Sequence, residues 1–357
     1  MPVLTPTPAA PPAKPDFDVA IIGGGPAGIA AAISIVTEGP TVAVLDQKGP
    51  GGQIATSSKI ENVFGVGVGG KSGAELMGIS IDQAKAFGTR FLSPFNAVRM
   101  TRDPQTGLFT IVASNRERVI AKAVVLALGA SARRLEKPGV AELNNRGVYY
   151  GAPQYHVPQQ WVGKRVGIIG GGNSAGQAGL FLSNCADCRV NVFVRGEGLE
   201  QDMSRYLVAR FQQAKIEVHP HSNLLRVEGE STLRSATFDQ QGFERSFDLD
   251  YLLIQIGAEP PTGWLEGTIE LDSKGYILTD RDLPKGLWHE DEQGRKPLRY
   301  ETSVPGVFAA GDAHAFTPNR MSCAVGEGHA MAVSVYKYLT LQHDREVAQR
   351  PHVITAA

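Results

Sequence analysis

Two stretches of this 357-residue sequence share one pattern: DFDVAIIGGGPAGIAAAISI at Asp16–Ile35 and GKRVGIIGGGNSAGQAGLFLS at Gly163–Ser183. Each begins as a short apolar strand, passes through a glycine turn and enters a helix of small residues. Each is followed by a second apolar strand, TVAVLDQ in the first copy and RVNVFVRG in the second. This order is typical of a doubly wound α/β unit. The sequence therefore predicts an α/β protein with two Rossmann-like domains.

The glycines of both turns indicate dinucleotide binding. In a G-x-G-x-x-G turn the first glycine allows the tight bend, the second lets a phosphate approach the backbone, and the third lets helix and strand pack closely. The phosphates then lie at the helix N-terminus. In the first copy the predicted binding residues are Gly23, Gly25, Pro26, Ala27 and Gly28, and in the second they are Gly170, Gly172, Asn173, Ser174 and Ala175.

The ends of the two following strands carry opposite charges. Asp46, followed by Gln47, ends the strand of the first copy, whereas Arg195 ends that of the second. An acid at this point favours a free ribose diol, and an arginine favours a 2′-phosphate. We therefore expect FAD or NAD in the first domain and NADPH, rather than NADH, in the second. The alternative that Arg195 is a solvated surface charge stays open, because Gly196 stands where a neighbouring arginine is usual.

Composition narrows the classes of function. Lys and Arg number 35 and Asp and Glu number 36, so the net charge of -1 gives no electrostatic reason to expect nucleic acid or an anionic membrane as a partner. No apolar run approaches the ~18 residues that a membrane span needs. Three cysteines imply no disulfide framework, and we expect a cytoplasmic protein without a metal site. Residues 1–15 are expected to be a disordered lead-in and residues 342–357 a C-terminal tail.

Three further stretches resemble the low-molecular-weight thioredoxin reductases. GPGGQIATSSKIENVFG at Gly49–Gly65 resembles their flavin-contacting loop, and VVLALGA at Val124–Ala130 stands in place of an A-T-G strand. SVPGVFAAGDAHAFTPNRMSCAVGEGHAMA at Ser303–Ala332 resembles their C-terminal FAD motif. The resemblance covers about residues 16–340. It implies a homodimeric flavoprotein with an FAD domain at 16–137 and 262–341 and an inserted NAD(P)H domain at 138–261.

The resemblance also assigns site residues. Asp46 would bind the adenosine ribose of FAD and Asp312 the ribityl or phosphate region. Positions that would contact the remainder of the flavin nucleotide are Gly52, Gln53, Asn62, Gly129, Gly311, Met321 and Ser322, and Gly257 would contact NADP. The polar stretch 280–301 is longer than the family implies, and we expect a surface insertion there that includes Trp288 and His289.

The family's redox pair, C-x-x-C, is missing. GVYYGAPQ at Gly147–Gln154 occupies its frame, with Gly151 and Gln154 in place of the cysteines. A disulfide relay needs two thiols within bonding reach. The chain thus resembles the cysteine-less members of the family, in which electrons would pass from NADPH through flavin directly to a small molecule or a small redox protein. A ferredoxin or flavodoxin reductase, and a flavin-binding sensor or scaffold without turnover, stay as alternatives.

Weaker candidates lie near these motifs. Tyr150, Tyr155 and His156 are polar groups close to the lost cysteines, where an aromatic ring would cover the flavin and His156 would donate a proton. A structural role is the competing interpretation for each of them. Glu327 and His329 are expected to shape a substrate pocket or a dimer contact, again with structural roles as alternatives.

The remaining cysteines are expected to be structural. Cys185 and Cys188 form CADC, which has the spacing of a redox or metal pair. It follows the second glycine helix, whereas ligands of such folds lie at the carboxyl ends of the strands. We therefore expect a structural turn there. Cys323, beside the flavin motif, is expected to be a small packed residue.

Overall fold

The computed structural model describes residues 14–57, 60–150, 161–214, 216–287 and 295–348, without the side chains of 185–186 and 345–348. Contacts divide the chain into two compact units. The first unit contains the described residues up to Ala55, Ile60–Ala130 and those from Pro260 onward, and the second contains residues 56–57 and Ser131–Glu259. Both units have parallel strands of the Rossmann type, which confirms the predicted fold class. Their assignment to FAD and to NAD(P)H stays a prediction.

The strands and helices are numbered in chain order. The strands are β1 Phe17–Ile22, β2 Val42–Leu45, β3 Arg90–Leu92, β4 Ala97–Arg102, β5 Phe109–Ala113, β6 Arg118–Leu126, β7 Ser131–Ala132, β8 Val148–Tyr150, β9 Arg165–Ile169, β10 Arg189–Phe193, β11 Ile216–His219, β12 Ser222–Glu228, β13 Ser235–Gln240, β14 Phe243–Asp248, β15 Tyr251–Ile254, β16 Ala258–Glu259 and β17 Val307–Ala309. The helices are α1 Pro26–Thr37, α2 Gly73–Ala86, α3 Asn173–Ala186, α4 Arg205–Gln213 and α5 Met321–Ala348.

The first unit is built on a sheet in the order β3-β2-β1-β6, which continues in two directions. The carboxyl half of β6 pairs in parallel with β17, and its amino half pairs with the antiparallel hairpin β4–β5. Both faces of β1 are covered. Val19 and Ile21 pack against residues of α1 and α5, and Ala20 and Ile22 face the side that includes β4 and β5. This double burial explains why β1 reads as a continuous apolar run.

The second unit has a five-stranded parallel sheet in the order β11-β10-β9-β15-β8. One face packs on α3 and α4 through Val166 and Ile168 of β9. The other face packs on the antiparallel sheet β12-β13-β14, where the rings of Phe193 and Phe238 stack with centroids 3.8 Å apart. A two-stranded pair, β7 with β16, lies where the chain enters and leaves this unit.

Both ends of the 280–301 insertion are anchored in the first unit. Asp280 accepts a hydrogen bond from the Tyr300 N–H at 2.8 Å. The Glu301 side chain, 1% exposed, pairs with Arg295 at 2.7 Å and accepts from the Leu298 and Gly306 N–H groups at 2.7 and 2.9 Å. Trp288 and His289 lie outside the described residues. A buried carboxylate with this many donors is held in place by its charge.

The Glu301 network predicts a loss of stability on Glu301→Gln. The amide nitrogen of glutamine would face an N–H donor, so we expect the free energy of unfolding to fall by about 2–4 kcal/mol. Urea unfolding followed by circular dichroism measures it. Asp248→Asn is the control, because Asp248 is 79% exposed in its pair with Arg165 and should cost under about 1 kcal/mol. Equal midpoints for the two variants would contradict the role of Glu301.

Candidate functional site

The first glycine turn is shaped by contacts between backbones. Gly23 has φ +108°, and a Cβ there would lie 2.1 Å from the Ala127 carbonyl oxygen. A Cβ on Gly28 would lie 2.0 Å from the Gly23 oxygen. Gly25 is the N-cap of α1 and supplies no side-chain cap, with Pro26 next in the chain and Ala27 buried. The first helical turn therefore presents uncapped N–H groups, the arrangement that binds phosphate.

Asp46 ties this turn to the loop that follows β2. One carboxylate oxygen accepts from the Gly24 N–H at 2.8 Å, and the other accepts from Lys48 and Gly49 N–H groups at 2.9 and 2.8 Å. A carboxylate has about four acceptor positions, so three are used by the backbone and about one remains. The structure thus adds a backbone role that the sequence did not indicate. The ribose contact of Asp46 stays a prediction, and neighbouring Gln47 is exposed.

The loop at 49–57 lies directly against the N-terminus of α1. The Gly51 N–H donates to the Gly24 oxygen at 2.7 Å, and a Cβ on Gly52 would lie 2.8 Å from the Gly25 Cα. The Gln53 side-chain amide hydrogen-bonds to the Ala130 oxygen. These contacts bring Gly52 and Gln53 to the uncapped helix end, as a shared ligand would require. The two other predicted positions of this region are exposed Asn62 and half-buried Gly129.

Asp312 follows β17 at the carboxyl end of the same sheet. Preceding Gly311 has φ +78°, and a Cβ there would lie 2.9 Å from the Ala27 Cβ. Asp312 is half-buried and, within the described part of the chain, has no hydrogen-bond or ion-pair partner. Burial, with a contribution from the nearby Glu327 charge, raises the pKa of its carboxyl group. A half-buried acid without a partner beside a helix N-terminus has the properties of a ligand-facing group.

Glu327 of α5 holds Asp312's loop in place. Its carboxylate accepts from the Gly311 N–H at 2.8 Å and from the Thr317 hydroxyl at 2.6 Å. His314 Nδ1 lies 3.3 Å from it, while His314 Nε2 lies 2.9 Å from the Thr279 hydroxyl. Burial opposes ionisation of Glu327, but these hydrogen bonds outweigh it and its pKa is lowered. Sequence reasoning missed His314 and Thr317, and it placed Glu327 only as a candidate pocket or dimer residue.

The remaining predicted residues on α5 differ in burial. Met321 is half-buried and packs beside Ile29 and Met77, while Ser322 is exposed. Cys323 is half-buried and is a free cysteine. His329 is exposed and hydrogen-bonds to Ser34 of α1. This contact between the two helices gives His329 a structural role, and a pocket or dimer role for it stays a prediction.

The second glycine turn repeats the first within the second unit. Gly170 has φ +139°, and a Cβ there would lie 2.3 Å from the Gln255 carbonyl oxygen. Gly172 is the N-cap of α3 without a side-chain cap, and Ala175 is fully buried in the third position. Asn173 accepts from the Ser204 N–H at 2.7 Å and so joins the starts of α3 and α4. The uncapped end of α3 fits a nucleotide phosphate.

Two predicted NADP residues lie at the edge of this turn, and a third lies on α3. Arg195, two residues beyond β10, is exposed and has no ion-pair partner among the described side chains. Gly257, after β15, is exposed with φ +97°. Ser174 is exposed on the first turn of α3. A cation without a partner at the end of β10 is available to a phosphate.

The aromatic candidates fall in or beside β8. The Tyr150 hydroxyl accepts from the Leu135 N–H at 2.9 Å, and the Arg134 guanidinium lies 4.4 Å from its ring centre. These contacts account for Tyr150 structurally, so a catalytic role for it stays a prediction without support from geometry. Tyr155 and His156 lie outside the described residues.

Cys188 is a buried thiol at the amino end of β10, preceding Arg189. It lies 3.1 Å from the Trp161 oxygen as a hydrogen-bond donor, and burial raises the pKa of the thiol. The Cys185 side chain lies outside the described set. A buried thiol with a raised pKa is a poor nucleophile. The contacts of Cys188 support a structural role for it.

The described ranges contain no group of three or more His, Cys, Asp or Glu side chains placed to hold a metal ion. No helix in the same ranges combines the length and apolar character needed to cross a bilayer.

Comparison with curated proteins gives relatives longer than this chain. NADH dehydrogenase of Bacillus subtilis (strain 168) is 30% identical over 329 residues, which are 91% of this chain and 59% of that protein. A protein of Pseudomonas putida that forms one part of its alkyl hydroperoxide reductase is 31% identical over 332 residues, 92% of this chain and 59% of that protein. The chain thus spans about three fifths of the length of these relatives.

Solved structures give neighbours of matching length. Thioredoxin reductase of T. acidophilum superposes with a TM-score of 0.78 at 27% identity, covering 91% of this chain and 99% of that one. Lactococcus lactis thioredoxin reductase gives 0.80 at 24% identity, with the same coverage, and shows likeness of fold alone. The family model described as pyridine nucleotide-disulphide oxidoreductase matches residues 17–328. The resemblance inferred from the sequence is confirmed, and the chain belongs to the pyridine nucleotide-disulphide oxidoreductase family.

Proposed function

We propose that this chain is an FAD-dependent NAD(P)H oxidoreductase of the thioredoxin reductase type that works without a redox-active disulfide. The observation that carries the proposal is the pair of uncapped helix N-termini, one in each unit, at Gly25 and Gly172. Each lies at the carboxyl ends of parallel strands, where dinucleotides bind in this fold. Bound flavin would accept a hydride from NAD(P)H and supply electrons to an acceptor.

The flavin nucleotide is assigned to the first unit. The end of α1 would bind the pyrophosphate through its N–H groups, and the remaining acceptor position of Asp46 would take a ribose hydroxyl. Asp312 would orient the ribityl chain, held in position by the Glu327 network around Gly311. The raised pKa of Asp312 supports this, because a hydroxyl or phosphate partner would compensate a carboxyl that is otherwise poorly solvated.

The pyridine nucleotide is assigned to the second unit, with NADPH preferred. Arg195 supports the preference, since its exposed guanidinium has no partner among the described side chains and suits a 2′-phosphate. The relative named NADH dehydrogenase makes NADH the competing donor. Gly170, Gly172 and Gly257 would let the nucleotide backbone lie close to the chain.

Electrons would leave the flavin directly. Gly151 and Gln154 replace the cysteine pair, and the contacts of Cys188 do not favour a substitute thiol relay. The acceptor would be a small molecule or a small redox protein, and a ferredoxin or flavodoxin is the second candidate. We further propose a cytoplasmic homodimer, as the thioredoxin reductase resemblance implies.

Flavin retention tests the first assignment. The purified protein should be yellow with about one FAD per chain, and Asp312→Ala should lose a large part of it because the ribityl partner is removed. Absorbance after gel filtration gives the ratio. Asp82→Ala, at an 81% exposed position on α2, should retain FAD as the wild type does. A colourless wild type that FAD does not reconstitute would overturn the proposal.

Nucleotide preference tests Arg195. Stopped-flow reduction of the flavin should be faster at low NADPH than at the same NADH concentration. Arg195→Ala should weaken apparent NADPH affinity about tenfold, through the lost charge-assisted contacts, and leave NADH nearly unchanged. Arg210→Ala, on exposed α4 of the same unit, is the matched control. If wild-type protein uses NADH equally well, Arg195 is only a surface charge.

Cysteine replacement tests the direct transfer. With Cys185, Cys188 and Cys323 all changed to serine, flavin reduction by NAD(P)H and turnover with an added acceptor should both continue. No thioredoxin-type disulfide should be reduced at a meaningful rate by either protein. Normal flavin reduction with lost acceptor turnover in the triple variant would make the CADC pair catalytic and contradict its structural assignment.

A further inference from the structure

Gln255 lies beside the second glycine turn. It directly follows β15, and its N–H donates to the Ile169 oxygen at 2.8 Å, which extends the pairing of β15 with β9 by one residue. Its own carbonyl is the group that excludes a side chain at Gly170. The residue thus stands at the carboxyl ends of two adjacent parallel strands, where the turn begins.

The side chain of Gln255 belongs to the face of the sheet that α3 covers. Leu253 packs in the cluster that contains Ala175 and Ala178 of α3, whereas Ile254 packs on the opposite face with Phe238. Side chains alternate between faces along a strand. Continuing the alternation by one residue puts Gln255 on the same face as Leu253, at the level where α3 starts.

The Gln255 amide lacks a hydrogen-bond partner. Its Nε2 atom is buried, and it is one of two such side-chain atoms without a partner in the described part of the chain, the other being the Thr89 hydroxyl. Burying a donor without an acceptor is unfavourable, and such groups need an explanation. The nearby start of α3 also presents N–H groups that no side chain caps. Both sets of donors would be satisfied by oxygens of one anion.

We propose that Gln255 is a nucleotide-binding residue of the second unit, whose amide donates a hydrogen bond to the pyrophosphate on the nicotinamide side. The inference rests on the proposed NAD(P)H site. The strand order β10-β9-β15 supplies the side, because Arg195 follows β10 and Gln255 follows β15, on opposite flanks of the turn. A dinucleotide with its adenosine at Arg195 extends across the turn toward Gln255.

The test uses nucleotide fragments with the flavin-loaded protein. Calorimetric titration would measure affinity for NADP⁺, 2′-phospho-ADP-ribose and 2′,5′-ADP, of which only the last lacks the second phosphate and its ribose. Gln255→Met keeps the length and removes the donor. It should weaken NADP⁺ and 2′-phospho-ADP-ribose by about 5- to 20-fold, the effect of one lost hydrogen bond to a charged group, with 2′,5′-ADP nearly unchanged. Gln255→Glu should weaken the first two further, by charge repulsion.

Gln177→Met, at an exposed position of α3, is the matched control and should leave all three affinities unchanged. If wild type binds only the unphosphorylated nucleotides, the same comparison applies to NAD⁺, ADP-ribose and AMP. Unchanged affinities in Gln255→Met, or an equal loss for all three fragments, would overturn the assignment of Gln255 while leaving the nucleotide site intact. A wild type that binds none of these nucleotides would overturn the proposed function, and this inference with it.

Discussion

Each unit depends on one glycine that is enclosed by the ends of two neighbouring strands. The Gly23 N–H donates to the Leu45 oxygen at the end of β2, while its Cα faces the Ala127 oxygen just beyond β6. Gly170 repeats the arrangement, with its N–H on Phe193 and its Cα against Gln255. Since any side chain would collide with a carbonyl, the turn exists only with glycine there. The helix can then start within the crevice at the carboxyl ends of the strands.

The two crevices differ in the groups that surround the shared turn. In the first unit the polar groups are acids: Asp46 organises three backbone N–H groups, Asp312 has a raised pKa, and Glu327 has a lowered one. In the second unit they are donors, Arg195 and the amide of Gln255. Acids suit hydroxyl-bearing ligands, and donors suit additional phosphate oxygens. One backbone geometry thus supports two different preferences through a few side chains at strand ends.

Local pattern was sufficient to predict the two turns, the helices that follow them and the place of Asp312 after a buried strand. It was insufficient for the Glu327 network, because Gly311 and Glu327 meet only when α5 folds back over β17. The backbone role of Asp46 had no signature either, since its partners are N–H groups that every residue except proline has. The sequence left Tyr150 available for catalysis, because its packing against Leu135 and Arg134 depends on tertiary structure.

The discontinuity of the first unit has a consequence for synthesis on the ribosome. All of Ser131–Glu259 leaves the exit tunnel before β17 and α5 exist, so the second unit can fold while the first is incomplete. Until then β6 lacks its β17 neighbour, and the apolar face of α1 lacks the Met331, Val335 and Tyr338 side chains that later cover it. The nascent chain must carry this uncovered surface through the translation of more than a hundred intervening residues. Completion of the first core is therefore a late event that depends on the arrival of α5.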